Sequence, residues 1–132
     1  MELGPGERSP AGRLLADRQP ASQEIGVDHS VREEGEAVVA SLSGDVDLES
    51  SPRARELLLE LVRGGRKVLV DLSAVHYIDS SGVASLIEAF QLARRGGTAF
   101  ALVAPNPAAL RVLQLARLDR VFTIHPTLAD AL

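Results

Sequence analysis

The sequence predicts a single α/β domain, with a mixed sheet of four to five strands and about four helices. Strand-like segments alternate with helical patterns of ten to fifteen residues, which implies crossover connections and parallel strands. The segment KVLVDL at residues 67–72 is apolar almost throughout, as in a strand covered on both faces. An opening hairpin makes the predicted sheet mixed instead of fully parallel.

The hairpin is predicted from two strands, residues 27–32 and 36–42, that meet at Glu34-Gly35. The segment 44–47, Gly-Asp-Val-Asp, follows as a polar turn with a glycine hinge. Residues 1–26 contain three prolines, scattered glycines and little apolar surface, so we expect a disordered tail before a domain at 27–132. The alternative for these residues is a short partner-binding segment.

The first helix is predicted to begin at Ser51-Pro52, with Ser51 as the N-cap, and to end at Gly64-Gly65. A second helix is predicted over residues 80–94, ending before Gly96-Gly97 and followed by a strand at 98–103. The apolar residues of both helices recur at helical spacing, namely Ala54, Leu57, Leu58 and Leu61 in the first and Val83, Leu86, Ile87 and Phe90 in the second.

The remaining segments predict a third helix, a short edge strand and a last helical turn. Asn106-Pro107 combines a capping side chain with proline at the first helical position, and the helix is expected to run to about Ala116. Residues 121–124 form the predicted edge strand, and Pro126 begins the final turn.

Composition excludes several classes of function. The net charge of -4 does not favour nucleic acid binding, which needs a basic surface. The chain has no cysteine, which excludes disulfides and thiolate catalysis. No segment approaches the ~20 apolar residues of a membrane span, and the N-terminus lacks a signal pattern, so we expect a cytoplasmic protein without membrane contact.

Catalytic and metal-binding patterns are not found in the sequence. His29, His76 and His125 are far apart, and neither a phosphate-binding glycine loop nor a nucleophile elbow occurs. We therefore expect a protein that is not an enzyme and carries neither a metal nor a cofactor.

The segment Asp79-Ser80-Ser81-Gly82 is the most informative motif, because it lies at the predicted N-terminus of the second helix. The simpler interpretation is structural: Asp or Ser caps the free N–H groups, and Gly82 permits a tight turn. The alternative is functional, since a helix N-terminus accepts an added phosphate without unfolding.

The run VLVDLSAVHYIDSSGVASLIEAF, residues 68–90, resembles the core of the STAS family, in particular bacterial anti-sigma-factor antagonists. The upstream Gly44-Asp45-Val46-Asp47 is similar to a Gly-Glu-Leu-Asp turn of that family, and residues 101–132 resemble its closing strand and helices. The family commonly has glycine where Arg117 stands. The resemblance covers residues 27–132 and implies a STAS-like fold.

This resemblance implies a phosphorylation switch. Ser80 matches the serine that an anti-sigma-factor serine kinase phosphorylates, with Ser81 as the fallback acceptor. Asp47 and Asp79 match residues that line the docking surface. The unphosphorylated antagonist would bind the kinase and release its sigma factor, and a phosphatase would remove the phosphate.

The second helix adds to the expected partner-binding surface. Placing its large apolar residues toward the core leaves small or apolar side chains on the outside. The expected partner-binding residues are Asp47, Asp79, Ser81, Gly82, Ser85, Ala89 and Leu92. Isolated exposed apolar residues are also normal, which is the alternative interpretation of this helix face.

Two other functions for a STAS-like domain remain open at this point. One is a subunit of a lipid-transport ABC complex, and the other is a scaffold subunit of a stress-signalling assembly. A free-standing domain with the full Asp-Ser-Ser-Gly motif favours the antagonist, as a monomer or weak dimer.

Overall fold

The sheet has five strands in the order β1-β2-β3-β4-β5. The structure, a computed structural model, describes residues 27–132, so the tail expected at 1–26 lies outside the described residues. The elements in chain order are β1 (Val27–Glu34), β2 (Ala37–Val46), α1 (Ser51–Arg63), β3 (Lys67–Ile78), α2 (Ser80–Gly96), β4 (Phe100–Val103), α3 (Pro107–Leu115), a 3₁₀ turn (Leu118–Arg120), β5 (Thr123–His125) and α4 (Leu128–Ala131).

Strand pairing confirms the predicted mixed sheet. β1 pairs with β2 in antiparallel orientation, while β2, β3, β4 and β5 are parallel. Each parallel pair is joined by one helix, α1, α2 or α3, as crossover connections require. The sheet, its strands and these helices therefore form the α/β domain that the sequence predicts.

The core lies on both faces of the central strand β3, as the apolar run at 67–72 predicts. Val68, Leu69 and Val70 are completely buried, with alternate side chains on opposite faces. Val68 and Val70 belong to a cluster with α1 and α2, and Leu69 belongs to a second cluster with α4. Burial on both faces explains why this strand has no polar alternation before Asp71.

The three phenylalanines of the chain lie together in the otherwise aliphatic core. Phe90 of α2 makes edge-to-face contacts with Phe100 and Phe122, at centroid distances of 6.3 and 5.4 Å. Because these residues come from α2, β4 and the approach to β5, the cluster attaches the C-terminal part of the sheet to α2.

Most predicted helix ends are confirmed, with one correction. Asn106 caps α3 by accepting a 3.0 Å hydrogen bond from the Ala109 amide, and Gly97 ends α2 in the left-handed conformation at φ +74°. The prediction of Ser51 as an N-cap is wrong, because the cap position is Ser50 and its side chain makes no capping bond. The Ser50 hydroxyl instead lies 2.7 Å from the Asp45 carbonyl oxygen and 3.0 Å from Asp47 Oδ1.

Strands β2 and β3 are both longer than predicted. β3 continues from Lys67 to Ile78 through two register irregularities in its pairing with β2. β2 likewise extends to Val46, so the turn predicted at 44–47 is wrong for its first three residues. The observed turn spans residues 47–50, and this extension determines where the polar motifs lie.

Arg117 has a left-handed backbone conformation, with φ 62° and ψ 25°, directly after the C-terminus of α3. This position after a helix commonly carries glycine, because a Cβ atom disfavours the conformation. Within residues 27–132 the Arg117 side chain has no ion pair, so no ion pair offsets the strained backbone conformation.

We expect Arg117→Gly to raise the free energy of unfolding by about 0.5–1 kcal/mol, because it relieves left-handed strain. The thermal midpoint should rise by roughly 4 °C. Arg111→Gly is the matched control, since Arg111 is exposed within α3 and glycine there should cost about 1 kcal/mol. Equal destabilisation of both variants would show that Arg117 is not strained.

Candidate functional site

Parallel pairing of β2 and β3 brings two polar segments together at one edge of the sheet. Val46 is the register partner of Ile78, so β2 and β3 end side by side and the segments that follow them leave the sheet together. Asp47 follows β2 and Asp79 follows β3. The Asp79 amide donates a 3.2 Å hydrogen bond to the Val46 carbonyl, which joins the two segments directly.

The Asp79 carboxylate caps α2 and also holds the neighbouring turn. Its Oδ1 accepts hydrogen bonds from the amides of Ser81 (2.9 Å) and Gly82 (3.1 Å). Its Oδ2 accepts a 3.2 Å bond from the Leu48 amide. The capping interpretation of the motif is therefore correct for Asp79, whose second oxygen also links α2 to the β2–α1 turn.

The turn at residues 47–50 is closed by Asp47 and Ser50. Asp47 Oδ1 accepts bonds from the amides of Glu49 and Ser50, both at 3.1 Å, and lies 3.0 Å from the Ser50 hydroxyl. These bonds, the Ser50 amide first, hold the pKa of the Asp47 carboxyl below its ordinary value. Ionised Asp47 therefore keeps the turn closed at neutral pH.

Ser80 and Ser81 differ in accessibility. Ser80 is the first residue of α2 and is exposed, and within residues 27–132 its hydroxyl has no hydrogen-bond partner. Ser81 is half-buried: its amide donates to Asp79, and its carbonyl accepts a 3.1 Å bond from the Ser85 hydroxyl. An incoming reagent would therefore meet the Ser80 hydroxyl first.

Gly82 is buried at the point where α2 crosses the end of β2. A Cβ atom on Gly82 would overlap the Val46 carbonyl oxygen and approach Ile78 Cγ1 to 2.7 Å. Because Gly82 lies inside the helix, its role is this close approach instead of the tight turn expected from the sequence. Its buried position also contradicts a direct contact with a partner.

The expected outward face of α2 is wrong for Ser85 and Ala89. Ser85 is 5% exposed and Ala89 is completely buried, while Leu92 is half-buried and packs against the core. The physical reason is that α2 packs against α1 as well as the sheet: the Ser85 hydroxyl lies 3.3 Å from the Ser51 carbonyl. Ser85 and Ala89 therefore contribute to helix packing. The exposed positions of α2 are Ser80, Ala84, Gln91, Arg94, Arg95 and Gly96.

Sequence reasoning missed two features beside Ser80. Ser50 is completely buried and organises the turn, which the Asp47-x-x-Ser50 spacing could have indicated as an Asx-type motif. Two exposed apolar side chains also lie near the edge: Leu48, 73% exposed, and Tyr77, 54% exposed, whose strand partner is Asp45. The only sequence signal for Leu48 is an apolar residue between two acidic ones.

Two further features bear on the chemistry of this edge. Among residues 27–132 no three His, Asp or Glu side chains are placed to hold a metal ion. None of the helices between residues 27 and 132 combines the length and the hydrophobicity that a membrane span requires. The polar groups described at this edge are the carboxylates of Asp47 and Asp79, the hydroxyls of Ser50, Ser80 and Ser81, and backbone amides.

The fold and this edge define the class of protein: the chain belongs to the STAS domain family, which it matches over residues 29–131. The resemblance predicted from residues 68–90 is therefore confirmed. The proteins that this chain is similar to include anti-sigma factor antagonists.

One such relative is the anti-sigma-F factor antagonist RsfB of Mycobacterium tuberculosis, 31% identical over 78% of this chain and 84% of its own. A Thermotoga neapolitana relative is 38% identical over 54% of this chain and 64% of its own length. The crystal structure of an anti-sigma factor antagonist from Mycobacterium paratuberculosis has a TM-score of 0.75 at 30% identity, covering 81% of this chain and 92% of that one.

We expect Gly82→Ala to lower the free energy of unfolding by about 2 kcal/mol, because the new methyl group must displace the Val46 backbone or α2. Gly96→Ala is the matched control, since no atom lies within 4 Å of its Cβ position and alanine is the better helix former by up to about 1 kcal/mol. Thermal unfolding of both variants tests this. An unchanged midpoint for Gly82→Ala would contradict the close approach.

Proposed function

We propose that this chain is an anti-sigma-factor antagonist whose unphosphorylated form binds an anti-sigma-factor serine kinase and releases its sigma factor. Phosphorylation of Ser80 ends this binding, and a phosphatase restores it. The observation that carries the proposal is the exposed hydroxyl of Ser80, the first residue of α2, directly after the Asp79 carboxylate that caps this helix. The names of the relatives support the same function.

Ser80 is favoured over Ser81 as the acceptor by exposure and by hydrogen bonding. Phosphoryl transfer requires the hydroxyl to enter the kinase active site in line with the phosphate. Ser80 can do so without breaking a bond among the described residues, whereas Ser81 is half-buried beside the Ser85 contact.

The domain itself should tolerate the phosphate. A helix N-terminus attracts negative charge, so about -1.5 to -2 additional charges at Ser80 do not require α2 to unfold. The Ser81 and Gly82 amides are already bonded to Asp79, however. The phosphate would therefore project toward solvent, beside the carboxylates of Asp47 and Asp79.

A phosphate on Ser80 would oppose the docking of a partner. A partner that covers Ser80 would have to desolvate a dianion close to two carboxylates, and a buried unpaired charge costs about 2–5 kcal/mol in an interface. Since about 1.4 kcal/mol corresponds to a tenfold change in affinity, the modification is large enough to act as a switch.

Phosphorylation of Ser80 should weaken kinase binding by roughly 30-fold or more. Ser80→Ala should bind normally and resist labelling, Ser80→Asp should bind more weakly, and Ser81→Ala should still accept phosphate. Mass spectrometry after incubation with the kinase and ATP, with calorimetric titration of each variant, tests these outcomes. Phosphate on neither serine, or full-strength binding by Ser80→Asp, would refute the switch.

Asp79→Asn should slow phosphorylation while preserving the native circular-dichroism spectrum. An asparagine oxygen can still cap α2, but its NH₂ group cannot accept the bond from the Leu48 amide, so the turn beside Ser80 loosens. Asp71→Asn is the matched control, because Asp71 Oδ1 also accepts a local amide bond, from Ser73 at 2.9 Å, on β3. Equal phosphorylation rates for the two variants, or unfolding of Asp79→Asn, would contradict this role.

A further inference from the structure

Leu48 is the most exposed apolar side chain at the Ser80 edge of the sheet. It is 73% exposed, at the second position of the 47–50 turn, and its amide is bonded to the Asp79 carboxylate. Its side chain contributes little to the core, because only its backbone is held. The Leu48 side chain is therefore available for contact with another molecule.

The turn presents Leu48 in a fixed position. The carboxylate of Asp47, the residue before it, accepts bonds from the amides of Glu49 and Ser50. The Asp47 carbonyl accepts a 2.7 Å bond from the Ser51 amide. Ser50, two residues after Leu48, is completely buried. Because the backbone of this turn is already fixed, binding through Leu48 costs little backbone entropy, which favours affinity.

The surroundings of Leu48 are acidic. Asp45 and Glu49 are exposed, and Asp47 and Asp79 are half-buried. The segments 42–52 and 68–93 contain no lysine or arginine. An apolar side chain within a rim of carboxylates is complementary to an apolar pocket surrounded by cationic side chains.

We propose that Leu48 is the apolar anchor of the docking surface, and that it inserts into an apolar pocket of the anti-sigma-factor kinase surrounded by Arg or Lys side chains. This inference rests on the proposed function and adds a residue that determines specificity. Leu48 supplies contact energy, while the carboxylates accelerate and orient association. In the complex these cationic side chains pair with the exposed carboxylates of Asp45 and Glu49. The phosphate on Ser80 is therefore left without a cationic partner and still opposes docking.

A kinetic binding experiment with the purified kinase tests the anchor. Leu48→Ser should raise Kd by about tenfold or more, mainly through faster dissociation, and Leu48→Met should restore most of the affinity. Leu115→Ser is the matched control, because Leu115 is 75% exposed on α3, outside the site. Glu49→Gln should slow association and reduce its dependence on salt.

The outcomes separate this inference from the proposed function. If wild type binds the kinase, Ser80→Asp binds weakly and Leu48→Ser binds like wild type, the anchor is refuted and the switch stands. If wild type does not bind the kinase, both are refuted. The thermal midpoint of Leu48→Ser should move by less than about 3 °C, and a larger loss would show that Leu48 is a structural residue.

Discussion

Parallel pairing of Val46 with Ile78 at the ends of β2 and β3 is the constraint on which the site depends. The carboxyl ends of parallel strands meet at one edge, so residues 32 positions apart in the chain, Asp47 and Asp79, become neighbours. Two irregularities in the pairing adjust the register so that these ends coincide. Without them, the Asp79 carboxylate would not reach the Leu48 amide, and the turn and α2 would be independent elements.

Local signals in the sequence were sufficient to predict most helix ends. Asn106-Pro107 and Gly96-Gly97 specify a cap and a left-handed end through their own chemistry, so the prediction needs no knowledge of distant residues. The motif serine was also placed correctly at the start of α2, because an Asp-Ser-Ser-Gly cap follows an apolar strand.

The errors arose where distant parts of the chain decide the outcome. A helical wheel assigns one buried face, but α2 contacts both the sheet and α1, so small residues such as Ser85 and Ala89 are buried where the two helices approach closely. The extension of β3 beyond residue 72 was missed for a similar reason. Residues 73–77 were interpreted as part of a loop, whereas pairing with β2 and burial of Val75 and Ile78 maintain the strand.

The composition of the chain makes Tyr77 useful as an optical reporter. The sequence has one tyrosine and no tryptophan, and that tyrosine is about half exposed at the end of β3, three residues before Ser80. Any intrinsic fluorescence that this chain emits on excitation near 280 nm therefore originates at the end of β3 that leads into the Ser80 segment. Changes in quenching or polarisation of that emission would monitor this edge of the sheet in the native protein, without an attached dye.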